Sequence, residues 1–338
     1  MHDKLIERLQ LIFDAKLLEA RKIVPGHDST NEIFAVKTEK GKYIVKIVKD
    51  SLMHGVFWKG LHLLFGATHE ISIKNQENLS KHINQFGLIP APKVYRSESD
   101  LNNPIKKPYV ILEMMPGNPI LSDSEIADLL TKSPEVALQL GALLGSIHKQ
   151  TFSFFGNLDK QGYPISEFPR KFASTIQVLA SMKRAQNDPL VQKMLPYYLS
   201  RARSMEPPKV TSLIMLDLWP NQFLEHNGHL ASLVDIESYC IGPIELELCL
   251  LELWLKKRSK FKEAYFAVNT YWPDYEETRE IYRYFLYLLY DCPSEGLQSC
   301  IDARGKFAQG DRIKSRISAP RLRMGPKFNP FNPYDEDD

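Results

Sequence analysis

The order of hydrophobic periods constrains this chain most. Alternating, strand-like segments come first, helical spacing follows, and one further hairpin interrupts the helical part. "EIFAVKTEKGKYIVKIV" reads as two strands joined by a turn at Lys40-Gly41, and "KPYVILEMMPG" as a buried strand ended by a Pro-Gly break. Before them, Leu5, Ile6, Leu9, Ile12 and Phe13 recur at helical spacing. Between them, "SIKNQENLSKHINQFG" is helical and stops at Gly87, and the prolines of "LIPAPKVY" hold the next stretch extended. Beyond Gly117, Leu140, Leu143, Leu144 and Ile147 line one helix face, and "IELELCLLELWLKK" and "REIYRYFLYLLYD" continue the helical pattern. The order implies an α+β chain in two lobes: residues 1–113, then 114–328, with 329–338 as an acidic tail.

With 338 residues, 43% hydrophobic and 25% charged, the chain has the composition of a globular protein and the length for two lobes of roughly 100–200 residues each. No run of about 18 apolar residues occurs, so no membrane span is expected. "MHDKLIERLQ" lacks the apolar region of a signal peptide, and Cys240, Cys249, Cys292 and Cys300 show no CxxC or zinc-ligand spacing. Reduced thiols in the cytoplasm are the expectation. A net charge of +2 gives no reason to expect nucleic acid as a partner. Residues 304–327 are locally basic, with eight Lys or Arg against Asp311. That segment is read as a solvated tail.

In "YIVKIV", alternation places Tyr43, Val45 and Ile47 on one strand face and Ile44, Lys46 and Val48 on the other. The Lys46 amine therefore stands in an apolar row and needs an acceptor. A lysine that holds phosphate oxygens and is oriented by a helix glutamate fits this position. Glu77 in the next helix is the expected partner, with Glu70 as the alternative. Just before the first of the two strands, "PGHDSTNEIF" offers Ser29 and Thr30 in a turn that can present N–H groups and hydroxyls to phosphates.

"LIMLDLWPNQFLEHNGHLASLVDIE", Leu213 to Glu237, carries the most chemistry. Asp217 interrupts an apolar run and Asp235 ends another, although an unpartnered buried carboxylate is costly. Asn227-Gly228 between apolar runs signals a two-residue type I′ hairpin. Counting outward from it pairs His226 with His229, Leu224 with Ala231 and Gln222 with Leu233. That register puts Gln222 on the face of Asp235, within reach of one ion, and turns Asn221 to the opposite face. Asp217, Gln222 and Asp235 thus gather at one end: a base-like carboxylate beside hard oxygen ligands suited to magnesium and phosphates.

"LDLWPNQFL" followed by "LVDIESYCIGP" resembles the catalytic and metal loops of the aminoglycoside phosphotransferase and fructosamine kinase group, distant relatives of protein kinases. The group's usual run is H-G-D-L-[HW]-P-x-N, a strand pair, and an aspartate in an "IDxE"-like segment. The resemblance extends to "GHDSTNEIFAVKTEKGKYIVKIV", to "YVILEMMPG" as a hinge and to "LGALLGSIHKQTFSFFGNL", covering roughly Gly26 to Leu255. It implies a protein-kinase-like fold with a small β-rich first lobe and a larger, mainly helical second lobe. By it, Asp217 matches the catalytic base, Asp235 the principal metal ligand and Lys46 the phosphate lysine. It also implies that the Met115 N–H and the Glu113 carbonyl meet adenine, and gives His148 a packing role. Met215 stands where the family has histidine, and Gln222 stands where it has the metal-binding asparagine.

The expected function is an ATP- and Mg²⁺-dependent phosphotransferase acting on a hydroxyl or amine of a small-molecule acceptor. Glu237 is open to a second-ion or loop-supporting role. The alternatives are a pseudokinase-type nucleotide-binding or scaffold protein, and an interaction protein that works through its basic tail.

Overall fold

Strand alternation and helix periodicity are realised as two lobes in the computed structural model of the chain, which describes residues 2–23, 30–49, 55–255, 259–293 and 296–303. The first lobe runs α1 (His2–Gln10), β1 (Leu17–Ile23), β2 (Asn31–Thr38), β3 (Gly41–Val48), α2 (Val56–Phe65), α3 (His69–Asn84), β4 (Val94–Glu98) and β5 (Tyr109–Glu113). Its strands form one antiparallel sheet in the order β1-β2-β3-β5-β4. Leu9 and Ile12 cover one sheet face, packing on Phe34, Val36, Val45, Ile47 and Ile111. The other face presents Ile44, Val110 and Leu112, with Lys46 in the same row.

Neither β1 nor α2 follows from the spacing rules. In "LLEARKI" only Leu17 and Ala20 are buried, so β1 is an irregular edge strand without clean alternation. Helix α2 leaves the sheet altogether: Trp58, Leu61, Leu64 and Phe65 are buried in the core of the second lobe. Gly60 permits this docking, since a Cβ there would lie 2.4 Å from Leu289 Cδ1. Thr68 then caps α3, its hydroxyl accepting the Ile71 N–H.

The second lobe contains β6 (Asn118–Pro119), α4 (Asp123–Lys132), α5 (Glu135–His148), β7 (Thr151–Phe152), β8 (Phe154–Gly156) and β9 (Gly162–Pro164). It continues with α6 (Phe168–Ala180), α7 (Lys183–Gln186), α8 (Pro189–Ser204), β10 (Thr211–Met215), β11 (Phe223–His226), β12 (His229–Leu233) and β13 (Tyr239–Pro243). Helices α9 (Ile244–Leu255), α10 (Ser259–Val268), α11 (Arg279–Leu289) and α12 (Gly296–Ile301) follow. Helix α9 is buried along nearly its whole length despite three glutamates. Glu252 is satisfied by Arg279 Nε at 2.9 Å, Arg283 Nη2 at 3.0 Å and the Tyr275 hydroxyl at 2.9 Å, which ties α9 to α11.

The hairpin forms where expected, with Asn227 at φ 50° and Gly228 at φ 80°, and His226 faces His229. Beyond Glu225 the expected register is overturned. Glu225 pairs with Leu230 and Leu224 with Ser232, so Ala231 is an extra residue, and Phe223 rather than Gln222 lies opposite Leu233. The reason is packing: Leu230 and Leu233 are three apart, yet both enter the same core, which unbroken alternation cannot achieve. The Gln139 side chain accepts from the Leu230 N–H at 3.0 Å and donates to its carbonyl at 3.3 Å, satisfying backbone at the bulge.

Candidate active site

Strand β10 delivers its last residue, Met215, to the mouth of a short loop whose backbone is held from several helices. The Met215 N–H donates to Glu247 Oε1 at 2.6 Å, and the Trp254 indole donates to the Leu218 carbonyl at 2.9 Å. The Tyr290 hydroxyl donates to the Leu216 carbonyl. Glu247 also lies 2.9 Å from His148 Nε2, with both side chains at 0% exposure, so His148 braces the core as its packing role implied. Within the loop, the Trp219 N–H donates to the Asp217 carbonyl at 2.9 Å, and a 3₁₀ turn at Pro220–Gln222 follows. Asp217 is the loop's acid, half-buried, and burial first and Asp235 second push its carboxyl up to about 8 against the pull of Lys46.

Gln222 is buried, and its side-chain amide donates to Asp217 Oδ2 at 2.9 Å. Its carbonyl accepts the Val234 N–H at 2.8 Å, which joins the loop to the end of β12. Gln222 is therefore turned to Asp217 by the loop, not to Asp235 by the hairpin register. The neighbouring Asn221 is half-buried, and its Oδ1 has no hydrogen-bond partner among the described residues.

Lys46 is 6% exposed on β3 and forms two ion pairs, at 3.1 Å with Asp235 Oδ1 and 3.2 Å with Glu237 Oε1. Burial works against its charge, but the two carboxylates outweigh that and raise the amine above the usual lysine range. Burial, with the Glu237 charge behind it, raises Asp235, whereas Lys46, His69 and Asn31 outweigh burial at Glu237 and lower it. The Asn31 amide at the start of β2 donates to Glu237 Oε2 at 2.8 Å.

Glu77 is not the partner of Lys46. It points to solvent and pairs with Lys81 at 2.6 Å, one turn along α3. Glu70, the alternative, is also exposed. The buried polar residues of α3 are His69, Ser72, Gln76 and Ser80, at spacings of three, four and seven that turn Glu77 outward. His69 packs against Trp58 with ring centroids 3.7 Å apart and planes tilted by 38°, and neither its ring nitrogens nor the Gln76 amide has a hydrogen-bond partner among the described residues. Asn31 and His69 are thus site neighbours that strand and helix spacing alone did not select, and Glu237, left open between a second-ion and a loop-supporting role, pairs with Lys46. The one available signal was helix phase: Gln76, not Glu77, shares a face with Ile73, Leu79 and Ile83.

Ser29 lies outside the described residues. Thr30 is half-buried in a bend, its carbonyl accepting the Lys49 N–H at 3.2 Å, so it sits where β2 and β3 meet the loop side of the sheet. Glu113 ends β5 opposite Tyr43, and its N–H donates to the Lys93 carbonyl at 2.9 Å. Met115, half-buried, follows where the chain passes to the second lobe.

Among the described residues, no three or more His, Cys, Asp or Glu side chains are arranged to hold a metal ion. Two carboxylates, Asp235 and Glu237, do converge on one cation, the Lys46 ammonium. Magnesium commonly takes one or two carboxylates and completes its shell with phosphates and water. Asp235, 32% exposed, fits an ion that arrives with phosphates, not a closed protein cage, while the amide nitrogen of Gln222 is engaged with Asp217.

An aromatic wall stands beside Asp217. The Tyr290 ring lies 5.2 Å from Trp219 and stacks on Phe57 of α2 at 5.9 Å and 27°. All three rings are half-buried, and Tyr290 senses the Asp217 charge. The packing of α2 on the second lobe thus brings Phe57 to Tyr290, whose ring meets Trp219 of the loop that carries Asp217.

The fold is similar to several solved structures. A macrolide 2'-phosphotransferase from Brachybacterium faecium shares 12% identity at a TM-score of 0.53, with 89% of this chain and 98% of that one covered. Choline kinase from Streptococcus pneumoniae shares 16% at 0.54, covering 89% and 92%. A putative fructosamine-3-kinase from Haemophilus somnus 129PT shares 14% at 0.50, covering 86% and 90%. At these identities the likeness is one of fold, and it agrees with the expected bilobal, kinase-like architecture. No curated protein matches the sequence. The profile of the phosphotransferase enzyme family matches residues 23–281, which takes in both lobes, Lys46, Asp217 and Asp235. This chain belongs to the phosphotransferase enzyme family.

Proposed function

We propose that the protein is an ATP- and Mg²⁺-dependent kinase that phosphorylates a hydroxyl or amine of a small molecule in the cytoplasm. The observation that carries this reading is the convergence of Lys46, Asp235 and Glu237 beside Asp217, an acid kept basic by its surroundings. Burial raises the proton affinity of the Asp217 carboxyl, which makes it a stronger base once ionised, and the Gln222 amide orients it. Asp217 would accept the acceptor's proton as the oxygen or nitrogen attacks the γ-phosphorus of ATP and the bond from that phosphorus to the β–γ bridging oxygen breaks, with ADP leaving. The amine of Lys46 would hold phosphate oxygens and offset charge developing on the transferred group. Asp235 and Gln222 would hold Mg²⁺, which when bound neutralises phosphate charge. Glu113 and Met115, at the passage between lobes, are placed for backbone contacts to adenine, and the Thr30 bend for the phosphates. The half-buried faces of Phe57, Trp219 and Tyr290 would receive the apolar part of the acceptor.

A nucleotide-binding module without transfer is the second reading, and the Gln222 and Gln76 side chains are the features that favour it. Release of ADP from ATP by the full chain, screened against pooled amino alcohols, sugars and nucleosides with and without Mg²⁺, separates the two. Metal-dependent release with a particular pool, absent in Asp217→Asn, is the expected result. ATP binding without release in any pool would favour the module.

A further inference from the structure

We propose that Glu237, braced across the cleft by Asn31, is the positioning residue for Lys46 and takes the place of an acid on helix α3. The proposal rests on the reading of Lys46 as the phosphate-binding amine. A strand lysine that grips phosphates needs a fixed negative partner, because its four-carbon stem is otherwise free to rotate. Helix α3 does not provide one. Its acids, Glu70 and Glu77, are exposed, and its buried polar residues are His69, Ser72, Gln76 and Ser80. His69 lies within electrostatic reach of both Lys46 and Glu237, yet neither it nor Gln76 brings a carboxylate.

Glu237 has the geometry that α3 lacks. It is 5% exposed, and its two oxygens are engaged separately: Oε1 faces Lys46 at 3.2 Å, and Oε2 accepts from Asn31 at 2.8 Å. A carboxylate tied at both oxygens to side chains of the first lobe is a strut, not a ligand waiting for an ion. Asn31 and Lys46 face each other's neighbourhood across β2 and β3, where Asn31 pairs with Val48 and Ile33 with Lys46. Glu237 follows β12 on the second lobe, two residues after Asp235. The strut therefore couples the amine to the lobe that carries Asp217, so the lysine is aligned by the closed arrangement of the two lobes.

The experiment is a double-mutant cycle on the full chain, read by calorimetric titration with ADP in the absence of divalent metal. Lys46→Met should weaken ADP binding by roughly tenfold, the worth of one contact to a charged group. Glu237→Gln should also weaken it severalfold, although it removes a negative charge from the phosphate region. In the Lys46→Met background, Glu237→Gln should cause no further weakening. Asn31→Ala, which leaves every charge in place, should move affinity in the same direction by a smaller factor. It also keeps the test open if Glu237→Gln does not fold. Mn²⁺ binding in the presence of ADP, followed by electron paramagnetic resonance, should fall in Asp235→Asn and stay unchanged in Glu237→Gln.

Tighter or unchanged ADP binding in Glu237→Gln would overturn the proposal, because Glu237 would then act only as a local repulsive charge. Additive losses in the double variant would overturn it too, as would weakened Mn²⁺ binding in Glu237→Gln, which would make Glu237 a metal ligand. If Lys46→Met itself leaves ADP binding unchanged, the underlying reading of Lys46 fails. That result is distinct from an additive cycle, which removes only the role given to Glu237.

Discussion

Gln222 donates its side-chain amide to Asp217 Oδ2 at 2.9 Å while its own carbonyl accepts the Val234 N–H at 2.8 Å. One residue thereby links the proposed base to the strand end that carries Asp235. Its amide nitrogen fixes the orientation of the carboxylate, and its amide oxygen is the proposed cation ligand. The neighbouring Asn221 makes no such link.

Removing the two amides should therefore have different effects. Gln222→Ala should raise the Mg²⁺ concentration needed for half-maximal rate and lower the maximal rate, by roughly tenfold for the loss of one orienting hydrogen bond to a charged group. Asn221→Ala should leave both near wild type. Parallel Mg²⁺ titrations of rate for the two variants check this. A shifted requirement in Asn221→Ala alone would remove Gln222 from the metal set.

Asp217→Asn should abolish transfer, retain ADP binding and stabilise the nucleotide-free protein. The sign follows from the proton balance. Asp217 is pushed up to about 8 in the folded chain, against about 3.9 unfolded. Between those values the folded state holds a proton that the unfolded state has lost. Stability is then fully present below about pH 4, falls by up to about 1.4 kcal/mol per pH unit, and levels off above about 8. Glu245, pushed up to about 7 by burial, acts in the same direction. Wild-type melting temperature should decline as pH rises from about 4 to about 8, and Asp217→Asn should flatten that decline. Parallel slopes for the two proteins would count against the raised carboxyl.

Phe57→Ala should raise KM for the acceptor while leaving KM for ATP unchanged, since Phe57 lies in the aromatic wall at Tyr290. A severalfold effect is expected from losing one half-buried ring face. Trp219→Ala should act similarly but also lower kcat, because its ring packs on Tyr290, whose hydroxyl holds the Leu216 carbonyl beside Asp217. Initial-rate measurements with each substrate varied in turn separate the two constants. An effect of Phe57→Ala confined to ATP would place the wall on the nucleotide side.

His148→Ala should destabilise the protein by about 3 kcal/mol, because it empties a buried ring site and leaves the Glu247 carboxyl without the ring nitrogen that faces it at 2.9 Å. His148 and Glu247 are both fully buried, and Glu247 also holds the Met215 N–H at 2.6 Å. Urea unfolding should show the loss with little change in slope. A loss under about 0.5 kcal/mol would show that the pair is not coupled to the core.

The sequence by itself determined whatever depends on local spacing. Alternation in "YIVKIV" placed Lys46 in an apolar row, and it is there, beside Ile44 and Val110. Asn227-Gly228 determined a tight turn, because both residues tolerate positive φ. The order of periods determined an α+β chain in two lobes, and the apolar runs that Asp217 and Asp235 interrupt marked both as candidate site residues. Only the tertiary structure decided which groups these residues meet. The demand of one core for both Leu230 and Leu233 bulged Ala231 out of the ladder and moved Gln222 off the counted register. The packing of α3 selected its His69 and Gln76 face and left Glu77 in water. Asn31 and Glu237, 206 residues apart, meet because the lobes close on each other, and no local period encodes such a pair. Local spacing sets side-chain direction within an element; the partner is set by where the next element can bury its own surface.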